Sequence, residues 1–288
     1  CIRNNWLNVK DPVQTFIFPS FSSSNEVELK APLKALKVLH DLEKSCPVKY
    51  APDLSQKVLY PSCFERQNVQ LVVKLFCDKN VSALTQYEIE HKGSVRDFMD
   101  LIIKWWNIVN VKSKFKGVHI NNNFCNVVSS ETIYLLEFLE QFAGWIKRWE
   151  MLGDSRAGKL SKETAFALSH TTTSLVTLSK YLLEDLKFNY VMLGKFQTDQ
   201  LESRFGRYRQ MSGRNYNISV TQVLESEKRI KLLSLLSVNS KYGKFAIKDL
   251  KCNHDSKVDN VPLKSITAPF DSILDTLDFY DVNERSEE

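Results

Sequence analysis

Apolar residues recur every three or four positions along most of this chain, which is the spacing of amphipathic helices. The densest stripe runs through residues 131–149 and includes Leu135, Phe142 and Trp149. The same period predicts further helices at residues 32–43, 68–87, 94–109, 161–186, 198–211 and from 219 onwards. Aromatic residues at this spacing usually belong to a core, so we interpret the densest stripe as buried and not as a ligand site.

Strand signals are few. Residues 15–18 and 216–220 are the two short candidates, and βαβ alternation, a glycine-rich phosphate loop and repeats of 20–50 residues are absent from the sequence. The sequence therefore predicts a mainly α fold. A short polar loop separates the stripes at 131–149 and 161–186, which favours an antiparallel helix pair with Ser161 as an N-cap.

Composition excludes several classes of protein. The 288 residues include 39 Lys and Arg against 34 Asp and Glu, and a net charge of +5 is too small to identify a nucleic-acid binder. Lys74 and Lys104 interrupt the longest apolar runs, so we expect no membrane span. The six cysteines form no C-x-x-C pair of the kind found in zinc ribbons. Because the chain begins at Cys1 without a signal-peptide pattern, we interpret it as a fragment of a longer protein.

The predicted helix at 198–211 carries the most unusual chemistry. Glu202 has Gly206 one turn further on, which leaves room for a metal ion or a nucleic-acid backbone to approach the carboxylate. Four arginines of this segment suit phosphate groups: Arg204, Arg207, Arg209 and Arg214. The alternative from spacing alone is a solvated helix that carries ordinary ion pairs.

Several blocks of the sequence, in the same order along the chain, resemble blocks of a known protein family. The run Thr198-Asp-Gln-Leu-Glu-Ser-Arg-Phe-Gly-Arg-Tyr-Arg-Gln, followed by Ser-Gly-Arg-Asn-Tyr-Asn-Ile-Ser-Val, resembles the C-terminal RNase H segment of P-element-like (THAP-domain) DNA transposases. Cys1-Ile-Arg-Asn-Asn-Trp-Leu-Asn resembles the segment that enters the GTP-binding insertion domain of this family. Lys104-Trp-Trp-Asn-Ile-Val-Asn-Val-Lys-Ser resembles a motif inside that domain, and Leu59-Tyr-Pro-Ser-Cys-Phe-Glu is a further matching block.

The resemblance implies a split RNase H-like fold with a large helical insertion and few or no strands in this fragment. Residues 1–8 would end the N-terminal RNase H-like segment, and residues 9–190 would form the helical GTP-binding insertion domain. Residues 191–238 would form the C-terminal RNase H-like segment, and residues 239–288 would be a polar, acidic, mobile tail. The first two catalytic carboxylates of the family would lie before Cys1.

The third catalytic carboxylate of the family matches Glu202. Its implied role is to complete a site of three acidic residues that binds two Mg²⁺ ions for phosphodiester cleavage and strand transfer. The GTP site of the family matches Trp106 as the residue that stacks on guanine, with Asn107 and Asp199 at the guanine edge. Asn107 stands where we would expect Asp, and an amide cannot accept from both guanine donors, so the resemblance leaves guanine specificity open.

The resemblance implies a nuclear protein whose partners are transposon-end and target DNA and a nucleotide, with a homo-oligomer as an open alternative and no membrane partner. With one of three carboxylates, this fragment is expected to be inactive by itself. A domesticated transposase remnant that binds DNA or acts as a scaffold is the first alternative. A plain helical interaction module is the second.

Overall fold

The computed structural model describes residues 2–11, 13–22, 27–152, 157–215 and 217–239, with side chains to residue 234. These residues are mainly α-helical, as the sequence predicts. The described helices are α1 (Ile2–Leu7), α2 (Lys34–Leu42), α3 (Gln56–Leu59), α4 (Val69–Leu75), α5 (Asp78–Gln86), α6 (Lys92–Val109), α7 (Lys116–His119), α8 (Ile133–Met151), α9 (Lys162–Lys180), α10 (Asp199–Met211) and α11 (Val220–Asn239). None of them is both long and apolar enough to cross a bilayer.

The chain divides into two compact units, one ending at Gln200 and the other beginning at Leu201. The domain boundaries given by the resemblance stay predictions. Beyond Asn239, the predicted tail at 239–288 lies outside the described residues.

A two-stranded hairpin lies in the core of the first unit. Strand β1 (Thr15–Pro19) pairs antiparallel with β2 (Glu28–Pro32), so that Phe16 faces Ala31. Carbonyl oxygens of both strands accept hydrogen bonds from tryptophan indoles. Trp149 donates to the carbonyl oxygen of Ile17 (2.5 Å), Trp145 to Pro19 (2.7 Å) and Trp6 to Ala31 (3.0 Å). An isolated hairpin is marginal in water, and these helices supply both the apolar cover and the missing hydrogen bonds.

The helix pair expected around residues 131–186 is present. Ser161 caps α9 by accepting from the Thr164 amide (3.3 Å), and after a short loop α9 returns along α8. Lys180, at the far end of α9, pairs with Glu140 of α8 (2.6 Å), which shows that the helices are antiparallel. Trp145 and Trp149 are almost fully buried, so the interpretation of the densest stripe as core is confirmed.

Two local predictions are wrong. The continuous helix predicted at 68–87 is broken, because Cys77 is extended (φ −132°) and separates α4 from α5. The amide of Asn80 stabilises the break by donating to the carbonyls of Lys74 (2.9 Å) and Leu75 (2.8 Å). The strand predicted at 216–220 is also absent from the described residues 217–220, since Val220 begins α11. There the Ser219 capping box dominates: Ser219 and Gln222 exchange hydrogen bonds of 2.9 and 3.2 Å.

Candidate functional site

The C-terminal end of α6 is the point in the first unit where the predicted nucleotide residues gather. A small apolar cluster, which includes Ile108, Val109 and Leu193, joins this end to the segment before α10. The Gly194 amide donates to the Val111 carbonyl (2.9 Å). A Cβ at position 194 would lie 2.7 Å from that oxygen, so only glycine permits this close approach.

Two further side-chain contacts join the end of α6 to the segment that leads into α10. Gln197 donates from Nε2 to the carbonyl oxygen of Val109 (3.1 Å), where a helix has unpaired acceptors. Lys112 forms an ion pair with Asp199, the first residue of α10. The fold therefore brings the last turn of α6, which carries Trp106 and Asn107, to the segment that carries Asp199. These contacts join residues 87 and 88 positions apart.

Trp106 and Asn107 are half-buried, and Trp106 lines a cavity of about 290 Å³. The cavity walls are all apolar and include Val69, Val73 and Leu168 beside the two tryptophans, Trp105 and Trp106. Such walls can stack on a ring but offer no acceptor to the N1–H and N2–H₂ groups of guanine. Asn107 and Asp199 are not among the lining residues, so this cavity contains only one of the three residues predicted for the guanine site. The cavity by itself does not fit GTP.

In the second unit, Arg204 forms a polar cluster with two other side chains. Its guanidinium donates from Nε to Glu227 Oε1 (2.9 Å), from Nη2 to the other carboxylate oxygen and from Nε to the Tyr208 hydroxyl (3.2 Å). The Tyr208 hydroxyl also bonds to Glu227. The hydrogen bond from Arg204 lowers the pKa of Glu227, and the same bond raises the pKa of Arg204. Both groups therefore stay charged at neutral pH, and Arg204 is already committed to a partner within the chain.

The other predicted phosphate ligands, Arg207, Arg209 and Arg214, are exposed. Within the described part of the chain, no salt bridge involves Arg207 or Arg214. Arg214 adopts a left-handed backbone (φ 63°) after Gly213 (φ 77°), and its amide closes the end of α10 on the Arg209 carbonyl (2.7 Å). The helix termination thus places one arginine just beyond the helix and leaves two along it. All three guanidinium groups are therefore accessible to phosphate groups.

Glu202 is exposed in the first turns of α10. A Cβ at Gly206, one turn on, would meet nothing within 4 Å, so the room expected beside the carboxylate is present. Among the described residues, no group of three His, Cys, Asp or Glu side chains could hold a metal ion. Glu202 offers one oxygen donor of the kind Mg²⁺ prefers, but these residues do not form a two-metal centre.

Sequence reasoning missed three partners in these sites: Lys112, Gln197 and Glu227. Lys112 and Gln197 join regions distant in the chain, and no local spacing indicates such a contact. Glu227 lies 23 residues after Arg204, on the next helix. Predicting that α10 and α11 pack together would have suggested an ion pair between an arginine and an acidic residue. It would not have identified Arg204 and Glu227 as that pair.

No family model matches this sequence, and no curated protein matches it. One solved structure does match the fold, the "Drosophila P element transposase strand transfer complex", with a TM-score of 0.60 and 16% sequence identity. The match covers 83% of this chain and 50% of that chain, so the protein spans about half the length of its structural neighbour. The chain thus has a fold similar to part of a P element transposase.

Proposed function

We propose that this chain is part of a P-element-like DNA transposase, a protein that cleaves DNA and joins strands. The observation that supports the proposal most strongly is the fold similarity over 83% of the chain. The motif block at 198–210 adds to it, because its residues from Asp199 onwards occupy one continuous helix with open space beside Gly206. DNA binding by this chain would agree with its neighbour, which is a strand transfer complex.

In this proposal the residues on and just after α10 have three roles. Arg207, Arg209 and Arg214 contact DNA phosphates, since their guanidinium groups are exposed on or just after the helix. Arg204 does not contact DNA in this proposal. Its hydrogen bonds to Glu227 and Tyr208 hold α10 against α11. Glu202 is one metal ligand of the catalytic site, and the longer protein supplies the remaining carboxylates.

DNA binding by the 288-residue chain is the direct test. Arg207→Ala and Arg214→Ala should each weaken binding to duplexes of unrelated sequence and reduce the salt slope by about 0.9, as the loss of one phosphate contact does. Arg96→Ala, an exposed arginine of α6 that pairs with Asp97, is the control. Unchanged slopes in both α10 variants, measured by fluorescence anisotropy at several salt concentrations, would contradict the phosphate role.

In this proposal the remaining catalytic carboxylates lie outside these 288 residues, so catalysis is tested in a protein that includes them. There Glu202→Gln should abolish cleavage and strand transfer in Mg²⁺ while DNA binding persists, because the amide keeps the shape but loses the charge. Glu225→Gln, at an exposed carboxylate of α11, is the control and should retain cleavage. Cleavage by the Glu202→Gln variant would remove this residue from the catalytic site. DNA binding without cleavage in the unaltered protein would favour the domesticated, non-catalytic alternative.

We also propose that a purine nucleotide binds at the end of α6, with GTP as the cofactor that the resemblance implies. Trp106 offers a ring for stacking, and Asn107 and Asp199 lie on the two segments that meet there. GTP should quench tryptophan fluorescence, with Trp106→Phe as the control that removes the reporting ring. Asn107→Asp should raise the preference for GTP over ATP by up to about 1–3 kcal/mol, the cost of leaving a buried donor unpaired. Equal affinities for both nucleotides in both proteins would exclude Asn107 from the site.

A further inference from the structure

A second basic surface lies in the first unit, after the end of α6. Residues 101–130 contain no Asp or Glu, and Lys112, Lys114 and Lys116 follow one another at alternate positions. Residues 186–198, which pack against this segment through Gly194 and Tyr190, also contain no acidic residue. Asp199 is the carboxylate that pairs with Lys112. The surface therefore carries a local excess of positive charge that the net charge of the chain conceals.

Aromatic rings fix the geometry of this surface. The ammonium of Lys114 lies 5.0 Å from the centroid of the Tyr190 ring and 5.7 Å from that of Phe115. Both distances are within the range of cation–π attraction. Phe115 is nonetheless 57% exposed. The ring lies beside the ammonium of Lys114, and Lys116 follows it in the sequence.

Neighbouring contacts hold the backbone of the surface in place. Lys116 donates to the Asn110 carbonyl (3.3 Å), and Gly117 lies so close to Asn126 that a Cβ would overlap its side-chain oxygen at 1.9 Å. The Gly194–Val111 hydrogen bond anchors the other side. The lysines and the phenyl ring are therefore presented by an ordered turn, which reduces the entropy lost on binding.

We propose that this surface, defined by Lys112, Lys114, Phe115, Lys116 and Tyr190, binds single-stranded nucleic acid. Lysines neutralise the phosphates, and the exposed face of Phe115 stacks on an unpaired base. Duplex DNA is a poorer ligand, because its bases are stacked on one another and present only their edges, to which a phenyl ring cannot hydrogen-bond. The proposal goes beyond the phosphate contacts assigned to α10, since it concerns another surface and another form of nucleic acid.

The test measures fluorescence anisotropy of the 288-residue protein with a labelled 20-nucleotide oligothymidylate and with a labelled 20-base-pair duplex. Phe115→Ala should weaken binding of the single strand by about 5- to 100-fold, the usual range for the loss of one stacked base, and change duplex binding by less than about twofold. Phe115→Tyr should restore binding because it keeps the ring. Lys114→Gln should lower the salt slope for the single strand by about 0.7.

Phe64→Ala is the matched control, since Phe64 is 93% exposed outside this surface. Equal losses for Phe64→Ala and Phe115→Ala, or equal losses for single strand and duplex, would overturn the proposal. So would full competition by free GTP at concentrations that saturate a nucleotide site, because the surface would then serve a mononucleotide. Arg207→Ala and Arg214→Ala report separately on α10. If duplex binding is unchanged in those variants while Phe115→Ala loses single-strand binding, only the phosphate role of α10 is rejected.

Discussion

The side chains packed inside the first unit differ in kind from those packed inside the second. In the first unit, Trp6, Trp145 and Trp149 are at most 1% exposed and surround a hairpin whose Phe16 and Phe18 are equally buried. In the described part of the second unit, Leu201 and Phe205 of the predicted apolar stripe stay 62% and 48% exposed. There Tyr208 is buried beside an arginine–glutamate pair. Among the described residues, the first unit has a large apolar core, whereas α10 and α11 are joined by an arginine–glutamate pair beside the buried Tyr208.

The large apolar core and the proposed catalytic and phosphate-binding side chains therefore lie in different units. Large buried aromatics fix a scaffold whose stability changes little with salt, because their contribution comes from area removed from water. Charged helices respond to salt and pH, and they leave cationic side chains available to a polyanion. The proposed catalytic glutamate and the proposed phosphate ligands all lie in the second unit. Their scaffold is consequently the more sensitive part of the protein.

The largest expected effect comes from the core of the first unit. Trp145→Ala should lower the free energy of unfolding by about 3–5 kcal/mol, because it opens a cavity and leaves the Pro19 carbonyl without its indole donor. Trp145→Phe keeps most of the volume and should cost about 1–3 kcal/mol. Urea denaturation followed by circular dichroism measures both. Phe166→Ala, at a side chain 67% exposed, should change stability by less than about 0.5 kcal/mol. A similar loss at both sites would contradict the description of this core.

An intermediate effect is expected where the first unit has no room for a side chain. Gly194→Ala should cost about 1–3 kcal/mol, because the new Cβ would stand 2.7 Å from the Val111 carbonyl and force the two segments apart. Gly144→Ala is the matched control: it lies inside α8 with nothing within 4 Å of the added carbon. That change should stabilise the protein by about 0.5–1 kcal/mol, since alanine favours helices. The same urea experiment decides, and effects of equal sign would refute the close approach.

The smallest effect concerns the ion pair of the second unit. Glu227→Gln should destabilise the α10–α11 pair by about 1 kcal/mol at neutral pH, a modest value because both side chains are partly exposed. Since folding lowers the pKa of Glu227, its contribution is complete above the ordinary carboxyl pKa. It is lost as the pH falls through the lower folded-state pKa. Arg204 stays protonated throughout, because its pKa is raised.

Hydrogen exchange of α10 amides, measured across this pH range, checks the pair. The variant and the unaltered protein should differ at neutral pH and converge in acid. Glu225→Gln, an exposed carboxylate on the same helix, should show neither effect. A difference that persists in acid would mean that Glu227 acts through packing and not through its charge.

Much of the helical content was open to prediction because each helix carries its own signals. The Ser161 cap and the aromatic stripe of α8 are local patterns, and the structure confirms both. The break at Cys77 was missed because it depends on the Asn80 side chain folding back to two carbonyls. An apolar period alone cannot show such a bond.

The candidate site was predictable only as a set of residues. The sequence places Glu202, Gly206 and three of the arginines on one helix, since their relation follows from 3.6 residues per turn. It could not place Asp199 against Lys112 or Arg204 against Glu227, because those pairs depend on how separate helices pack. It could not place Trp106 against an apolar cavity for the same reason.

By itself, then, the sequence determined helices, caps and the local order of charges, all of which arise from contacts within a few residues. Tertiary structure decided which charges are neutralised inside the protein and which face outwards. It brought the end of α6 close to the segment before Asp199, at Gly194, where a side chain would not fit. It also placed a lysine and aromatic rings around Phe115. These outcomes depend on close packing between distant segments, where a single Cβ decides whether two backbones can meet.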